Sequence, residues 1–237
     1  MSITQINELL DSKLREFNQL NREKRDYLGA SIVGDECLRK IQLQYLQHDA
    51  DFSAQALRNF AVGHALEPVV AQWLRIAGFH LRVQNNDGKQ FGFRIADGRI
   101  AGHVDGIICN GPDFCKYPCL WECKTMNDKR WKDATKRGLL VSKPLYYAQV
   151  QMYMAYMKLD ENPCLFTAFN KDTSELYFEL IPFDPETAQR YSDRAALILQ
   201  ASENNETLPR VSEDPSFYTC KMCACRKACL SERGIRE

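Results

Sequence analysis

Two kinds of hydrophobic periodicity alternate along the chain and divide it into helical and extended regions. In residues 3 to 28, apolar side chains recur near the helical period with charged residues between them, which predicts an amphipathic helix. The same period predicts a second helix that follows Ser31 as its N-cap, and a third over about residues 54 to 77. Residues 49 to 53 are predicted to form a turn between them.

Short alternating runs follow the third helix, and the Asp-Gly pairs between them suit tight turns. Strands are therefore predicted at about residues 79 to 85, 90 to 96, 99 to 109 and 119 to 126. Helices are predicted over residues 129 to 138, 144 to 159 and 184 to 201, and a hairpin over residues 164 to 171 and 174 to 182. The chain thus combines helices with hairpins.

Charge and composition limit the kinds of partner and cellular compartment that the protein can have. The 31 basic and 31 acidic residues balance, so any contact with DNA must come from local patches. No apolar run approaches the roughly 20 residues of a membrane span, and the N-terminus lacks the pattern of a signal peptide, so we expect a cytoplasmic protein without a membrane partner. In that compartment the ten cysteines are more naturally metal ligands or buried thiols than disulfides.

Two carboxylates and a lysine form the first candidate site. Asp105 ends a predicted strand, and Glu122 and Lys124 lie two residues apart on the next strand, so their side chains share one face. Carboxylates hold divalent cations that lower the pKa of a bound water, and phosphodiester hydrolysis gains from a further cation beside that water. The alternative for a bare Glu-x-Lys is an exposed ion pair on a strand.

A family pattern surrounds these three residues. The segments Gly102-His103-Val104-Asp105-Gly106 and Glu122-Cys123-Lys124, followed by Gln149 and Tyr153, resemble the RecB-like branch of the PD-(D/E)XK nuclease superfamily. That pattern includes an upstream helical histidine, and His64 stands in its place. The resemblance covers about residues 54 to 182. It implies an α/β fold with a restriction-endonuclease-like core, in which helices flank a mixed central β-sheet.

The resemblance also implies roles for single residues. The ligands of Mg²⁺ or Mn²⁺ would be His64, Asp105, Glu122 and the backbone carbonyl of Cys123. The catalytic residues would be Asp105, Glu122, Lys124, Gln149 and Tyr153. Glu67 lies three residues after His64 on the same helical face, and we expect it either to fix the imidazole or to be an ordinary solvated glutamate.

The tail carries a cysteine cluster at positions 220, 223, 225 and 229, and such short spacings favour a zinc ion or an iron–sulfur cluster. Together with an N-terminal cysteine, the pattern resembles the 4Fe–4S arrangement of RecB-like nucleases of the AddB type and of CRISPR-associated exonucleases. The resemblance implies that the cluster ligands are Cys37, Cys220, Cys223 and Cys229. The alternative is a local structural Zn²⁺ site that uses Cys225 in place of Cys37. The other five cysteines lack ligand spacing and are expected to be ordinary thiols.

These features predict three regions along the chain. Residues 1–52 would form an N-terminal helical region that contributes Cys37, and residues 53–201 would form the nuclease core. Residues 202–237 would carry the cysteine cluster and pack back on the N-terminal helices.

A basic segment lies between the Glu-x-Lys strand and the helix of Gln149. Its members could grip phosphates and stack a base: Lys129, Arg130, Trp131, Lys132, Lys136 and Arg137. A solvated helix face is the alternative for these residues. Their position beside the proposed metal site favours contact with DNA.

The resemblance implies a DNA exonuclease that uses Mg²⁺ or Mn²⁺ at DNA ends or in single strands. Segments such as Leu28-Gly29-Ala30-Ser31 make the chain look most like members carried by phages and prophages, which implies recombination or repair with a single-strand annealing protein or another recombination factor as partner. One alternative is an endonuclease stabilised by zinc or an iron–sulfur cluster. Another is a non-catalytic DNA-binding subunit of a recombination or CRISPR adaptation complex.

Overall fold

The computed structural model describes residues 3–21, 25–47, 50–113 and 115–231. The helices are α1 (Ile3–Asn21), α2 (Leu38–Tyr45), α3 (Ala54–Ile76), α4 (Asp128–Ser142), α5 (Pro144–Met157), α6 (Pro185–Glu203), α7 (Tyr218–Lys221) and α8 (Arg226–Leu230), with a 3₁₀ turn at Ala30–Ile32. The strands are β1 (Leu28–Gly29), β2 (Leu81–Arg82), β3 (Gly92–Ile95), β4 (Ile100–His103), β5 (Gly106–Ile108), β6 (Cys119–Met126), β7 (Cys164–Asn170) and β8 (Leu176–Ile181).

The larger sheet has five strands in the order β2-β5-β6-β7-β8. Strands β6 and β7 are parallel and the other neighbours are antiparallel, so the sheet is mixed. Its two faces are buried against different helices. Trp121 packs with Val70 and Leu74 of α3, whereas Leu120 belongs to the cluster that contains Met152 of α5. Alternation along β6 therefore directs its even-numbered side chains, Glu122 among them, towards α5.

The smaller sheet has the order β1-β4-β3, with β1 parallel and β3 antiparallel to β4. The sequence predicted one strand over residues 99 to 109, and this prediction was wrong, because β4 and β5 belong to different sheets. The physical reason lies at Asp105. The backbone N–H of Cys123, which a longer β5 would bind, donates instead to Asp105 Oδ2 at 2.8 Å. The N–H of Val104 donates to Phe91 O at 3.0 Å.

The N-terminal prediction also needs correction. Of the helix predicted over residues 3 to 28, the structure describes Ile3–Asn21 as helical, and Leu28 lies in a strand, where its N–H donates to Arg99 O at 2.7 Å. Residues 22–24 are outside the described part of the chain. Ser31 is not a helix N-cap, since it lies in the 3₁₀ turn, and α2 begins after Cys37. Tertiary pairing with β4 overrides the local periodicity here.

The remaining elements follow the predictions with shifted ends. The turn predicted at 49–53 lies partly on residues outside the described ones, and Ser53 caps α3 by accepting a hydrogen bond from Ala56 N at 3.2 Å. Helix α4 extends beyond residue 138 to Ser142 after a break at Gly138, where φ is 71°. Glu179 Oε2 accepts a hydrogen bond at 2.9 Å from the N–H of Leu139, which follows the break.

Residues from all three predicted regions share hydrophobic clusters. Leu28, Ile41 and Leu208 pack in the same cluster as Phe166 of the central sheet. A smaller cluster joins Leu43 to the tail. Across the residues that the structure describes, no helix is both long and apolar enough to cross a membrane.

Close packing at Gly102 joins the smaller sheet to α5. A methyl group added there would lie 2.7 Å from Phe93 Cε1 and from Tyr153 Cε1. We predict that Gly102→Ala lowers the free energy of unfolding by about 1–3 kcal/mol through overpacking. In Gly29→Ala, the matched control in β1, the nearest atom would be Arg25 Nη1 at 3.5 Å, and little change is expected. Urea denaturation measures both, and equal stabilities would contradict the packing argument.

Candidate active site

The residues predicted to form the site come from three parts of the fold. Asp105 lies where the chain passes from the smaller to the larger sheet, between β4 and β5. Glu122 and Lys124 share one face of β6, which is bordered on both sides by other strands. Gln149 and Tyr153 lie one turn apart on α5 and are buried. The structure thus brings together the five side chains predicted to be catalytic.

Glu122 is the centre of the hydrogen bonds in this group. Its side chain is fully buried. Oε1 accepts hydrogen bonds from Lys124 Nζ and, at 2.6 Å, from Gln149 Nε2. Oε2 is buried and has no hydrogen-bond partner among the described residues. Lys124 Nζ also lies 4.0 Å from Asp105 Oδ2, so one lysine lies between two carboxylates.

A third carboxylate faces the same group. Burial and the neighbouring Asp105 raise the pKa of Glu67 to about 7. Burial and Asp105 likewise raise the pKa of Glu122 to about 8. Burial opposes the charge of Lys124, but Glu122 and Asp105 hold its pKa well above the usual value. Without a metal ion, Glu67 and Glu122 therefore keep their protons to a higher pH than ordinary carboxyl groups, while the lysine stays protonated.

Tyr153 and Tyr146 border the charged groups. Tyr153 is buried, and its ring packs edge-on against Phe93 at 5.9 Å between centroids. Burial and Glu122 raise the pKa of its hydroxyl, which therefore stays protonated. The ring of Tyr146, whose centroid lies 5.6 Å from Lys124 Nζ, lies on the open side of the site.

The charged groups open into a cleft of about 740 Å³. Its lining includes Ser53, Asn59, Phe60, His64, Glu67, Asp105, Cys123, Lys124, Tyr146, Arg130, Lys171 and Met222. His64, predicted as a metal ligand, is exposed on the α3 side of this cleft. In the described part of the chain, no three His, Cys, Asp or Glu side chains are arranged to hold a metal ion.

Sequence reasoning missed several residues of the cleft, among them Glu67, Tyr146 and Met222. Glu67 was considered only as a partner of His64 or as a solvated residue, although its offset of three residues already placed it on the same helical face. Nothing in the sequence marked Tyr146 as a site residue except its position on the same predicted helix as Gln149. Met222, which is 79% exposed, comes from the cysteine-bearing tail, and only the tertiary fold brings it here.

The cysteines predicted to bind a cluster line one separate cavity. Cys37 at the start of α2 lies there with the tail cysteines 220, 223, 225 and 229. Basic side chains of Lys40, Arg210 and Arg226 share the lining. A hydrogen bond from Cys225 lowers the pKa of Cys223 to about 6. The cavity therefore combines thiols with positive charge.

The basic side chains of α4 differ in their surroundings. Lys132 pairs with Asp128 at 2.7 Å, and Arg137 forms two hydrogen bonds with Asp133 at 2.7 and 2.9 Å. Trp131 packs against the main core, and its indole N–H donates to Ala168 O at 3.1 Å. Arg130 lines the cleft, whereas Lys129 and Lys136 are exposed outside its lining.

Comparison with known proteins identifies the fold. No protein-family model matches the chain, and no curated protein is similar to it in sequence. The crystal structure of SSO0001 is similar with a TM-score of 0.50 and 16% identity, covering 97% of both chains. An alkaline exonuclease (LHK-Exo) from Laribacter hongkongensis is similar with a TM-score of 0.56 and 17% identity, covering 81% of this chain and 93% of the exonuclease. The predicted fold class, α/β with a restriction-endonuclease-like core, is confirmed.

The raised pKa of Glu122 predicts how stability depends on pH without metal. The pKa is about 8 in the folded protein against an ordinary value of 4.5, so between these pH values the folded protein keeps a proton that the unfolded chain releases. The free energy of unfolding therefore falls as the pH rises through this window. Glu122→Gln removes this contribution and should flatten the curve measured by urea denaturation in EDTA. The exposed Glu161→Gln is the control, and a Glu122→Gln curve parallel to wild type would contradict the assignment.

Proposed function

We propose that the protein is a cytoplasmic Mg²⁺- or Mn²⁺-dependent deoxyribonuclease, with exonuclease action at DNA ends or in single strands favoured. The observation that carries this proposal is Glu122 Oε2. A buried carboxylate oxygen without a partner is costly, and it is the atom a cation would bind. Beside it lie Asp105, a further carboxylate that could hold a divalent cation, and Lys124, a positive charge that would assist phosphodiester hydrolysis.

The residues fit a divalent cation by charge and by donor type. Three carboxyl groups, those of Glu67, Asp105 and Glu122, lie near a single lysine, and burial together with Asp105 raises the pKa values of Glu67 and Glu122. Mg²⁺ and Mn²⁺ prefer oxygen donors. Asp105 and Glu122 would hold the ion, with Glu67 beside them and with His64 and the Cys123 carbonyl as the ligands that the family resemblance adds. When bound, such an ion lowers the pKa of water and neutralises phosphate charge.

The protein's own groups have separable tasks in this proposal. Lys124, held protonated between Glu122 and Asp105, places a positive charge where a phosphate and an attacking water would meet. Gln149 donates to Glu122 Oε1 and so fixes the carboxylate with Oε2 unpaired. Tyr153 supports this arrangement from α5 by packing under Gly102, three residues before Asp105.

A nucleic acid is favoured as the substrate because a solved structure with a similar fold is an alkaline exonuclease. The family resemblance favours DNA. The family resemblance alone supports the setting in phage recombination or repair, together with a single-strand annealing protein as partner. Of the α4 residues, Arg130 has the best support for binding DNA, since it lines the cleft. An endonuclease and a non-catalytic DNA-binding subunit remain the alternatives that the assay below separates.

The test uses end-labelled single-stranded, linear duplex and closed circular DNA with Mg²⁺ or Mn²⁺. Wild type should degrade the single-stranded or linear substrates. Glu122→Ala removes a group that would hold the cation and Lys124→Ala removes a positive charge beside the phosphate, so each should lower the rate by roughly 100-fold or more. The exposed substitutions Glu161→Ala and Lys13→Ala are the matched controls and should retain activity.

Two outcomes would overturn parts of this proposal. If wild type binds every substrate but leaves it intact with both metals, the protein is not a nuclease. If closed circular DNA is cut as fast as linear DNA, the action is that of an endonuclease.

We further propose that Cys37, Cys220, Cys223 and Cys229 bind a 4Fe–4S cluster, with zinc as the alternative. The four thiols line one cavity, and such a cluster needs four soft ligands. The basic side chains in the lining would offset the negative charge of thiolate ligands. Cys225, which also lines the cavity and is fully buried, would then be a neighbouring thiol and not a ligand.

Metal analysis and the visible spectrum of anaerobically purified protein test this assignment. We expect a brown protein that contains iron, and we expect Cys37→Ser and Cys220→Ser to lose both colour and iron. Cys225→Ser should keep them, as should Cys109→Ser, the exposed control outside the cavity. A colourless protein with zinc, in which Cys225→Ser loses the metal and Cys37→Ser retains it, would establish the local zinc site instead.

A further inference from the structure

The outer face of the smaller sheet carries polar side chains that the catalytic cleft does not use. Arg94 on β3 is opposite Ala101 on β4, and Gly92 is opposite His103. Opposed residues in an antiparallel pair share a face, and so do residues two apart on one strand. Arg94 and His103 therefore project from the same face, and both are exposed.

Tyr27, which directly precedes β1, lies at the centre of this face. The guanidinium carbons of Arg94 and Arg25 lie 5.0 and 5.9 Å from the centroid of its ring. The ring of His103 lies 6.2 Å away at an interplanar angle of 60°. Two exposed cations and an exposed imidazole thus surround one half-buried aromatic ring.

This group has an excess of positive charge. Asp26 is its acidic member, and it pairs with Arg94 at 2.6 Å while its own side chain is 75% exposed. No carboxylate forms an ion pair with Arg25 within the described ranges of the chain. Because the chain as a whole is neutral, such a local excess is what would attract an anionic polymer.

The group also lies next to the proposed catalytic site. His103 precedes Asp105 by two residues, so at most roughly 7 Å separates their Cα atoms. The intervening Val104 is buried and its N–H donates to Phe91 O, which holds the backbone between them in place. A strand of nucleic acid with one phosphate at Asp105 would therefore have neighbouring nucleotides within reach of this face.

Exposed aromatic and imidazole rings stack on nucleobases, and guanidinium groups bind phosphates. Stacking requires unpaired bases. We infer that Arg25, Tyr27, Arg94 and His103 form a binding site for a single-stranded DNA segment that adjoins the catalytic cleft. This inference rests on the proposed function, since it names where the proposed nuclease would bind single-stranded DNA.

The experiment measures binding of labelled oligothymidine by fluorescence anisotropy in EDTA, so that hydrolysis plays no part. With an oligonucleotide of about 20 residues, Tyr27→Leu and Arg94→Ala should each weaken binding by roughly 10-fold. The loss for Arg94→Ala should shrink at high salt, because one phosphate contact is removed. Arg99→Ala is the matched control. It removes an exposed arginine of the same hairpin that pairs with Glu203, and it should bind as wild type does.

Further variants separate binding from folding. Tyr27→Phe keeps the ring and should bind as wild type does, and Arg25→Ala should repeat the loss of Arg94→Ala without breaking an ion pair. The inference is overturned if Tyr27→Leu, Arg94→Ala and Arg25→Ala all bind as tightly as wild type or as Arg99→Ala. It is also overturned if duplex DNA binds as tightly and loses affinity equally. The nuclease assay decides the proposed function separately, because binding in EDTA needs no turnover.

Discussion

The site depends on a carboxylate buried in the middle of a sheet. Glu122 is fully buried, and an ionised carboxylate in such a place is strongly disfavoured unless it is paired and hydrogen-bonded. Lys124 and Gln149 supply this compensation, but only to one of its two oxygens. Strand β6 and helix α5 must therefore keep their relative position. The buried clusters on both faces of the larger sheet hold them there.

The second constraint is the break between β4 and β5. The carboxylate of Asp105 accepts the hydrogen bond from the N–H of Cys123 that a backbone carbonyl would accept in a continuous strand pair. This hydrogen bond fixes the position of the carboxylate. The same break sends the preceding residues into the smaller sheet, which includes β1 from the N-terminal part of the chain. The Asp105 side chain thus links the carboxyl groups of the candidate site to the smaller sheet, whose strands are far apart in the sequence.

Strand alternation predicted the shared face of Glu122 and Lys124, and helical spacing predicted that of Gln149 and Tyr153, because both are local properties. That Asp105 and Gln149 lie beside Glu122 was implied only by the family resemblance. Prediction from the sequence failed where pairing between distant segments decides the structure. Leu28 leaves the predicted helix because β4 supplies a backbone partner, and the predicted strand over 99 to 109 breaks because Cys123 supplies a donor. The place of Glu67 in the site was missed for a related reason. Its neighbour Asp105 is 38 positions away in the chain, and only the tertiary fold brings the two side chains together.

The cysteine-bearing tail and the cleft of the candidate site share a boundary. Met222 lies between Cys220 and Cys223 in sequence, yet it lines the cleft together with residues of α3 and is largely exposed. Leu43 and Ala50 pack with Cys225, so the tail is anchored to the segment that leads into α3. A metal centre at these cysteines would fix the loop that carries Met222. Its loss would then alter access to the cleft while the hydrogen bonds around Glu122 stay intact.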